Sequence, residues 1–444
     1  MKPADEAHVV VVGAGVAGLA AAFASLTAGA PRVTLVSSGP GATALGAGAI
    51  DDVPWDEVAR AERATSTLHA TRASALDAEV LDFAASFGAW DLPRAGEPRC
   101  LLATSAGVLR SSRGRARSLL DLARHAERVV LLPRADRAGW DADAIARGLA
   151  SMAPAGSRFV AIDGPVLRYD DERRASDAAL AERHDEAARL DWLAERLRPT
   201  IERHDKAKTA LLFGPWLGLE SDAAAALSSR LGVPVGEVLS ASSAVAGLRF
   251  ERARAGWLAR VVREYPGFSQ LDRRASAVVR ARGRLRVRLD GAAEDASLDA
   301  SAVVLASGGL IGGGLAYDPP DHDAGPEGPD DVGPSWRLSP RVESTEPEHV
   351  VRITTGSRYG IYAAADVVGS TCGPVLDAVA WPIDADPSIL ERVGVRVDAR
   401  GLAAPGISAA GDVAFGARRT MLGAIGSGLV AGRAAALTDW RAGQ

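Results

Sequence analysis

The first apolar run of the chain leads into a spaced set of glycines. Residues 8–18 read HVVVVGAGVAG, and an alanine-rich segment follows them directly. A short apolar run bounded by glycine predicts a buried strand, and the alanine-rich segment predicts a helix. A second apolar run, RVTLVS at residues 32–37, lies within the ~30 residues that one βαβ unit needs. The pattern therefore predicts a strand, a tight turn, a helix and a parallel strand.

Regular apolar patterns return toward the C-terminus. The alternating segment SAVVRARGRLRVRL at residues 276–289 predicts a β-hairpin, and AVVLASGG at residues 302–309 predicts a buried strand that ends in small residues. Residues 407–415, ISAAGDVAF, predict a short strand ending at a Gly-Asp pair, and residues 422–437 predict a glycine-rich helix. We therefore expect an α/β fold that is assembled from both ends of the chain.

A long segment between these two groups has a different character. Residues 58–244 contain amphipathic helical patterns, and residues 170–208 within them are strongly charged. The apolar residues of the charged tract recur at helical spacing, which predicts solvated helices with one packed face and leaves open a docking surface for another subunit. These apolar residues are Leu180, Leu190, Leu193 and Leu197. Residues 318–334 are so rich in Pro, Gly and Asp that they predict a loop or linker.

The glycine spacing near the N-terminus is that of a phosphate-binding turn. In this motif the first glycine permits the turn, the second lets the backbone approach a pyrophosphate, and the third lets the helix pack on the strand. The three glycines here are Gly13, Gly15 and Gly18, with Ala17 inside the motif. Because the N–H groups at the start of a helix attract anions, the motif predicts a nucleotide cofactor. The alternative is a turn that is simply rich in glycine.

The end of the second predicted strand departs from the usual dinucleotide pattern. An Asp or Glu at this point normally accepts hydrogen bonds from the adenosine ribose. This chain has Ser37 there, followed by Ser38. The phosphate half of the signature is therefore present and the ribose half is absent. This absence weakens the case for a tightly held dinucleotide, whether NAD or FAD, and does not allow NAD to be assigned.

The C-terminal patterns favour a flavin over a nicotinamide. In flavoproteins with an N-terminal βαβ unit, a strand that ends in Gly-Asp places its carboxylate on flavin hydroxyls, and the next helix directs its positive end at the ring. The alternative for the aspartate is a turn residue that caps a helix. The candidate cofactor residues in this half of the chain are Ser307, Gly308, Gly411, Asp412, Gly423 and Ala424.

Composition excludes several other classes of function. The net charge of -5 gives no basic field for nucleic acid. The two cysteines, Cys100 and Cys372, are too few for an iron–sulfur cluster, so we expect any one-electron relay on another chain and no metal site on this one. Residues 8–31 form an uncharged stretch, but their glycine spacing does not suit a membrane span or a signal peptide. We expect a cytoplasmic protein that meets a membrane only through a partner.

Three segments carry a resemblance to a known family. Residues 37–53 form a small-residue loop, SSGPGATALGAGAIDDV; residues 211–250 contain PWLGL and LGVPV; and residues 306–315 read ASGGLIGGGL. Together they resemble the B subunit of anaerobic glycerol-3-phosphate dehydrogenase, a flavin-carrying subunit. The resemblance adds three loop residues to the candidate cofactor contacts, namely Gly46, Ala47 and Gly48.

The resemblance implies both an architecture and a set of partners. It implies a Rossmann-type βαβ flavin-binding domain of the FAD-dependent oxidoreductase superfamily, interrupted by a large inserted α+β domain. It implies FMN as the cofactor, with FAD still open. It also implies an FAD-containing A subunit and an iron–sulfur C subunit that pass electrons from sn-glycerol 3-phosphate, oxidised to dihydroxyacetone phosphate, to a membrane quinone pool. The expected flavin domain comprises residues 1–57, 245–317 and 395–444, the inserted cap or partner domain residues 58–244, and a loop-rich excursion residues 318–394.

Some features depart from that family or stay open. The C-terminal helix starts TMLGA instead of a Gly- and Cys-rich segment, and the preceding Arg418 and Arg419 are either phosphate contacts or ordinary surface arginines. No catalytic base is identified, because the seven histidines are scattered and several lie in charged helical contexts that favour solvated roles. The alternatives are a self-sufficient FAD oxidoreductase of the fumarate-reductase-like superfamily and a flavin-free structural subunit.

Overall fold

The computed structural model describes most of the chain, namely residues 7–39, 41–54, 57–58, 76–125, 128–153, 156–239, 245–281, 284–291, 296–318, 335–344, 351, 353–357, 360–362, 370–372 and 393–438. The helices are α1 Val16–Thr27, α2 Ala78–Ala85, α3 Ala142–Met152, α4 Asp177–Arg183, α5 Ala187–Ile201, α6 Ala223–Leu231, α7 Val245–Glu264 and α8 Met421–Ala436. The strands of the first half are β1 His8–Val12, β2 Arg32–Ser37, β3 Ala49–Ile50, β4 Trp90–Asp91, β5 Cys100–Ala103, β6 Leu109–Ser112, β7 Gly114–Ala116, β8 Val129–Pro133, β9 Arg158–Ile162, β10 Thr209–Phe213 and β11 Val235–Glu237. Those of the second half are β12 Phe268–Asp272, β13 Ala275–Ala281, β14 Arg284–Leu289, β15 Ser297–Ala300, β16 Ala302–Leu305, β17 Leu315–Asp318, β18 Ser335–Leu338, β19 Arg341–Ser344, β20 Ile353–Ser357, β21 Gly360–Tyr362, β22 Ser370–Cys372, β23 Val393–Val395, β24 Leu402–Ala404 and β25 Ile407–Ala409.

The chain divides into two compact units. Unit 1 consists of residues 1–43 and 258–444, and unit 2 consists of residues 44–257. The segment expected as an insertion, residues 58–244, therefore lies inside a larger unit that starts earlier and ends later. Unit 1 contains both termini, so it is built from sequence regions that are more than two hundred residues apart.

Strand pairing and aromatic stacking explain the outer limits of unit 2. Strand β3 pairs with β7, which holds the small-residue loop in this unit. The first part of α7 carries Phe250, whose ring stacks on that of Trp90 at 5.7 Å between centroids. Trp257 stacks on Phe87 at 5.5 Å in the same cluster. Buried aromatic contacts of this kind stabilise a fold strongly, so the start of α7 folds with unit 2.

Unit 1 is built on a mostly parallel sheet. Its described strands have the order β12-β2-β1-β16-β25-β24, and the first five run parallel. This is the 3-2-1-4-5 order of a Rossmann-type fold. The valines of β1 are almost fully buried, as expected for a central parallel strand covered on both faces. The strand, turn, helix and strand predicted from residues 8–37 are confirmed.

Helices α1 and α8 lie against each other through small residues. A Cβ on Gly428 would come within 2.2 Å of the Ala17 carbonyl oxygen, and one on Gly432 would come equally close to the Ala21 carbonyl oxygen. The Ser25 hydroxyl donates a hydrogen bond to the Gly432 carbonyl at 2.9 Å. The glycine-rich C-terminal helix predicted from the sequence is therefore confirmed, and its glycines permit close helix packing.

Smaller sheets complete unit 1. The predicted hairpin is confirmed as the antiparallel pair β13 and β14, which joins β15 and β19 in a four-stranded sheet. Within the expected excursion at residues 318–394, the described residues include strands of two further sheets, β17-β18-β22 and β21-β20-β23. The predicted linker lies outside the described residues except for its first residue, Asp318, which ends β17.

Unit 2 has its own parallel sheet and core. Strands β11, β10, β8 and β9 lie side by side in parallel, and the apolar faces of α3, α5 and α6 contribute to the same buried cluster. The four leucines expected to form one packed face of the charged tract are all buried there. Their helices are thus half packed and half solvated, as the helical spacing predicted.

One histidine of the charged tract is placed differently from its expected solvated role. His184 follows α4 and is fully buried, and its Nδ1–H donates to the Trp216 carbonyl at 2.7 Å. Burial lowers the pKa of His184 to about 4. The expectation of a solvated side chain is wrong for this residue, because the chain turns inward between α4 and α5.

The described part of the chain contains no helix that is long and apolar enough to cross a membrane.

Candidate functional site

A cavity of about 340 Å³ opens at the carboxyl ends of the parallel strands of unit 1. In a Rossmann-type sheet this edge is where ligands bind. All residues that line the cavity belong to unit 1. Sequence-predicted residues that line it are Gly13, Gly15, Ala17, Ser37, Ser38, Ser307, Gly308, Gly411, Asp412 and Ala424. The fold therefore brings the N-terminal motif and both C-terminal segments to one place.

The three motif glycines have different structural roles. Gly13 has a φ of 110°, and a Cβ there would lie 2.1 Å from the Ala306 carbonyl oxygen. A Cβ on Gly18 would lie 1.8 Å from the Gly13 carbonyl oxygen. At Gly15 the nearest protein atom to a Cβ is Thr43 Oγ1 at 3.4 Å, an ordinary contact distance. Gly13 and Gly18 are thus required by packing, whereas Gly15 leaves space in the cavity.

The start of α1 presents backbone donors to the cavity. Gly15 caps the helix without a side-chain hydrogen bond, and Val16 N–H donates only a long bond, 3.3 Å, to Thr43 Oγ1. Gly15, Val16 and Ala17 all line the cavity. The positive end of a helix and unshared N–H groups together make a site for a phosphate.

Asp412 follows β25, which lies on the other side of β1 from β2 in the sheet. Gly411 precedes it with a φ of 70°, and the Gly411 N–H donates to Ser427 Oγ of α8 at 2.9 Å, which fixes the turn. Burial raises the pKa of the Asp412 carboxyl, and the positive charge of Arg419 opposes that rise. A carboxylate so enclosed is favoured by hydroxyl or N–H donors from a ligand.

Ser307 supplies an unsatisfied polar atom at the same edge. Its hydroxyl is buried and has no hydrogen-bond partner among the described residues. A buried hydroxyl without a partner costs free energy, so a ligand that bonds to it would be stabilised. A phosphate site, an enclosed carboxylate and an unshared hydroxyl along one cavity fit a flavin nucleotide, which carries phosphate, hydroxyls and a ring with N–H donors.

Several lining residues were not identified from the sequence. Arg273 and Arg274 follow β12 and reach the cavity because β12 pairs with β2. Thr43 contributes the contact to α1 described above. The sequence signal for the arginines was weak, because arginine is frequent along the whole chain and the strand FSQLD before them is short.

Other predicted contacts are not among the residues that line this cavity. Gly46, Ala47 and Gly48 belong to unit 2. The residues that line the cavity do not include Arg418, Arg419 or Gly423. Gly423 instead donates its N–H to the Thr420 hydroxyl that caps α8, at 3.1 Å. Arg419 acts on the site through its charge near Asp412.

The N-terminal part of the chain matches one family model. Residues 8–93 match the model described as an FAD binding domain, and the match begins at β1 and includes the phosphate-binding turn. The chain carries an FAD-binding domain. Its mixed α/β fold is that of the FAD-dependent oxidoreductase superfamily, and FAD is the flavin that the match supports. The sequence matches no curated protein.

Solved structures give only distant likenesses. CabE, an aromatic hydroxylase from angucycline biosynthesis, shares 13% identity at a TM-score of 0.30, with 97% of this chain and 62% of CabE covered. Sdh1 of Mycobacterium smegmatis shares 12% identity at a TM-score of 0.28, with 98% of this chain and 69% of Sdh1 covered. Cyclohexylamine oxidase of Brevibacterium oxydans shares 15% identity at a TM-score of 0.28, with 97% of this chain and 99% of the oxidase covered. This chain thus spans less than two thirds of CabE, and likeness at this level assigns no activity.

Proposed function

We propose that this protein is a flavin-dependent oxidoreductase that binds FAD in the unit 1 cavity. The observation that carries the proposal is the meeting of the α1 start, the Ser307 hydroxyl and the Asp412 carboxylate along one cavity. These groups come from both ends of the chain, and each has a complementary group on a flavin nucleotide.

Each side chain has a distinct part in this proposal. The N–H groups around Gly15 bind the pyrophosphate, and Ser307 accepts or donates a hydrogen bond along the ribityl chain. Asp412 orients the flavin through its hydroxyls. The bound flavin supplies a two-electron acceptor. The positive start of α8, where Ala424 lines the cavity, favours the negative charge that reduction adds to the ring.

We further propose that the oxidoreductase is the flavin subunit of an anaerobic-type glycerol-3-phosphate dehydrogenase complex. The support is the sequence resemblance at residues 37–53, 211–250 and 306–315. In that role the chain works with an FAD-containing A subunit and an iron–sulfur C subunit, and it reaches the quinone pool and the membrane through them. Asp412 supplies a carboxylate to the cavity, and this proposal assigns that carboxylate to binding the flavin. The base for alcohol oxidation is therefore assigned to the A subunit.

The first test is the identity of the flavin. The protein is purified from its native host or with added riboflavin, denatured, and the released flavin identified by chromatography. Stoichiometric FAD is expected. FMN would contradict the choice of FAD and favour the family expectation, and a protein that takes up neither flavin would overturn the proposed function.

The second test separates the complex from a self-sufficient enzyme. The match to an FAD binding domain favours a chain that carries its own FAD. A self-sufficient FAD oxidoreductase is therefore the second candidate. Tagged protein from the native host is expected to copurify with a larger flavoprotein and an iron–sulfur protein and to oxidise glycerol 3-phosphate only with them. Turnover of another substrate by the isolated chain, with a soluble acceptor, would instead favour the second candidate.

A further inference from the structure

The parallel sheet of unit 2 has an open edge at β9. The strand order is β11-β10-β8-β9, so β11 and β9 are the outer strands. The outer side of β11 is covered by residues that follow β7, because Glu237 N–H donates to the Ser118 carbonyl at 2.9 Å and the Glu237 carbonyl accepts from Leu120 N–H at 3.1 Å. Among the described residues, no such bonds reach the outer side of β9. The sheet therefore ends there in unpaired backbone groups.

The hydrogen bonds between β8 and β9 show which backbone groups face outward. Arg158 N–H donates to the Arg128 carbonyl at 3.2 Å, and the Ile162 carbonyl accepts from Arg134 N–H at 2.9 Å. The pairing is parallel and regular over the whole length of β9. Because alternate residues of a strand bond to the same neighbour, every second residue of β9, starting at Arg158, bonds to β8.

The two residues between these positions, Phe159 and Ala161, direct their backbone groups to the open side. Each carries one N–H donor and one C=O acceptor. Edge strands are usually protected by proline, by charged side chains or by a bulge, because an unpaired edge binds strands of other chains. The sequence of β9, RFVAI, contains no proline, and its charged residue is Arg158 at the start. The apolar side chains of residues 159–161 are only partly buried against the core of unit 2.

The charges at the two ends of β9 have opposite sign. Exposed Arg158 begins the strand, and Arg128 directly precedes the neighbouring β8. Asp163 follows the strand with its side chain 94% exposed, and its partner Arg134, at 2.7 Å, also pairs with Asp143 at 2.8 Å. The amino end of this edge is thus positive and its carboxyl end negative. Two copies of the strand attract each other when antiparallel and repel each other when parallel.

We propose that β9 pairs with β9 of a second copy of this chain, antiparallel and around a two-fold axis. The outward backbone groups of Phe159 then bond to those of Ala161 in the second copy, and the reverse pair forms by symmetry. The axis passes between the two Val160 residues, which face each other as a pair that is not hydrogen-bonded. The two unit 2 sheets become one continuous sheet, so no edge is left open at β9. This proposal does not depend on the flavin function.

The register predicts which cysteine variants form a disulfide between copies. Val160→Cys places two thiols at the axis, where Cα atoms are about 4.5 Å apart, a distance that a disulfide spans. Phe159→Cys is the matched control, because diagonal neighbours are roughly 7–8 Å apart, which is too far. Under mild oxidation, Val160→Cys is expected to give a covalent dimer. Phe159→Cys and the wild type, which has Cys100 and Cys372, are expected to give none.

Sedimentation velocity of the full chain measures association without a cross-link. The wild type is expected to become dimeric as its concentration rises. Ala161→Pro removes an outward N–H from each copy and should weaken the dimer about tenfold or more, and an edge strand tolerates proline at such a position. Val160→Lys brings two like charges together at the axis and should weaken the dimer similarly. Val108→Lys is the control, since Val108 is an exposed valine elsewhere in unit 2.

The contrary results are equally specific. A wild type that stays monomeric at every concentration would overturn the proposal. A covalent dimer of Phe159→Cys in place of Val160→Cys would overturn the register. A dimer that both Ala161→Pro and Val160→Lys leave unchanged would lie at another surface, and equal weakening by Val108→Lys would mean that only net charge matters. Melting temperatures identify any variant that is unfolded; if Ala161→Pro is unfolded, Val160→Lys and the cross-link decide.

Discussion

Replacement of Gly15 is the most direct test of the phosphate site. The Cβ of residue 15 has space in the structure, since its nearest protein neighbour would be Thr43 Oγ1 at 3.4 Å. The backbone at Gly15 has a φ of -70°, which any L-residue adopts. Gly15→Leu should therefore fold, with its side chain in the volume that we propose for the pyrophosphate.

The size of the effect follows from the contacts that are blocked. If two backbone N–H groups at the α1 start bind the pyrophosphate, their charge-assisted hydrogen bonds contribute about 1.5–3 kcal/mol each. Loss of both is about 3–6 kcal/mol, which is roughly a 10²- to 10⁴-fold weaker Kd for FAD. Gly15→Ala adds only the methyl group and should lose less.

The assay measures flavin content and stability on the same samples. Flavin per chain is read from absorbance, and unfolding from circular dichroism. A matched comparison is Gly18→Ala, whose Cβ would lie 1.8 Å from the Gly13 carbonyl oxygen and should destabilise the fold by about 1–3 kcal/mol or more. Full flavin content in a folded Gly15→Leu variant would refute the assignment of the phosphate site. Unfolding of that variant would refute the structural distinction between the two glycines.

Three further changes test other parts of the structure. Asp412→Ala should weaken FAD binding by about 10-fold to 100-fold in a flavin titration, because it removes an enclosed acceptor; unchanged affinity and reduction potential would leave Asp412 as a turn residue only. Gly428→Ala should lower the free energy of unfolding by at least about 1–3 kcal/mol, because its Cβ would meet the Ala17 carbonyl, and a stable variant would contradict the close packing of α1 and α8. In the folded protein the pKa of His184 is about 4, which is below its value in the unfolded chain. As the pH falls, the unfolded chain therefore binds the proton first, and the free energy of unfolding decreases below about pH 6.5. That decrease should reach about 2–3 kcal/mol near pH 4.5 in denaturant titrations, and an equal decrease in His184→Asn would show that another group is responsible.

Local patterns predicted much of the flavin-binding unit. The buried run before Gly13, the alanine-rich helix and the second strand required only short-range information, since strand and helix periods are set by neighbouring residues. The Gly-Asp turn at residue 411 and the glycine-rich helix after it were also identifiable. Ser37 could be recognised as unusual because its position is fixed by counting from the motif.

Features that depend on contacts between distant parts of the chain could not be predicted from local patterns. Arg273 and Arg274 line the cavity because β12 pairs with β2, and the pairing of residues more than two hundred positions apart leaves no local signal. The buried position of His184 likewise involves a non-local contact, the hydrogen bond from its Nδ1–H to the Trp216 carbonyl. The unit boundary after Trp257 depends on aromatic contacts that helix periodicity does not reveal.

The sequence by itself determined the glycine-rich turn, the parallel order of its two strands and the missing ribose acid, because each depends on residue types at fixed short spacing. Only the tertiary structure showed what excludes a side chain at Gly13, since a Cβ there would meet the Ala306 carbonyl oxygen in a distant part of the chain. It also decided that Arg273 and Arg274 are among the residues that line the cavity. Spacing along a chain sets backbone conformation, whereas packing between distant segments sets the space and charge in which a ligand binds.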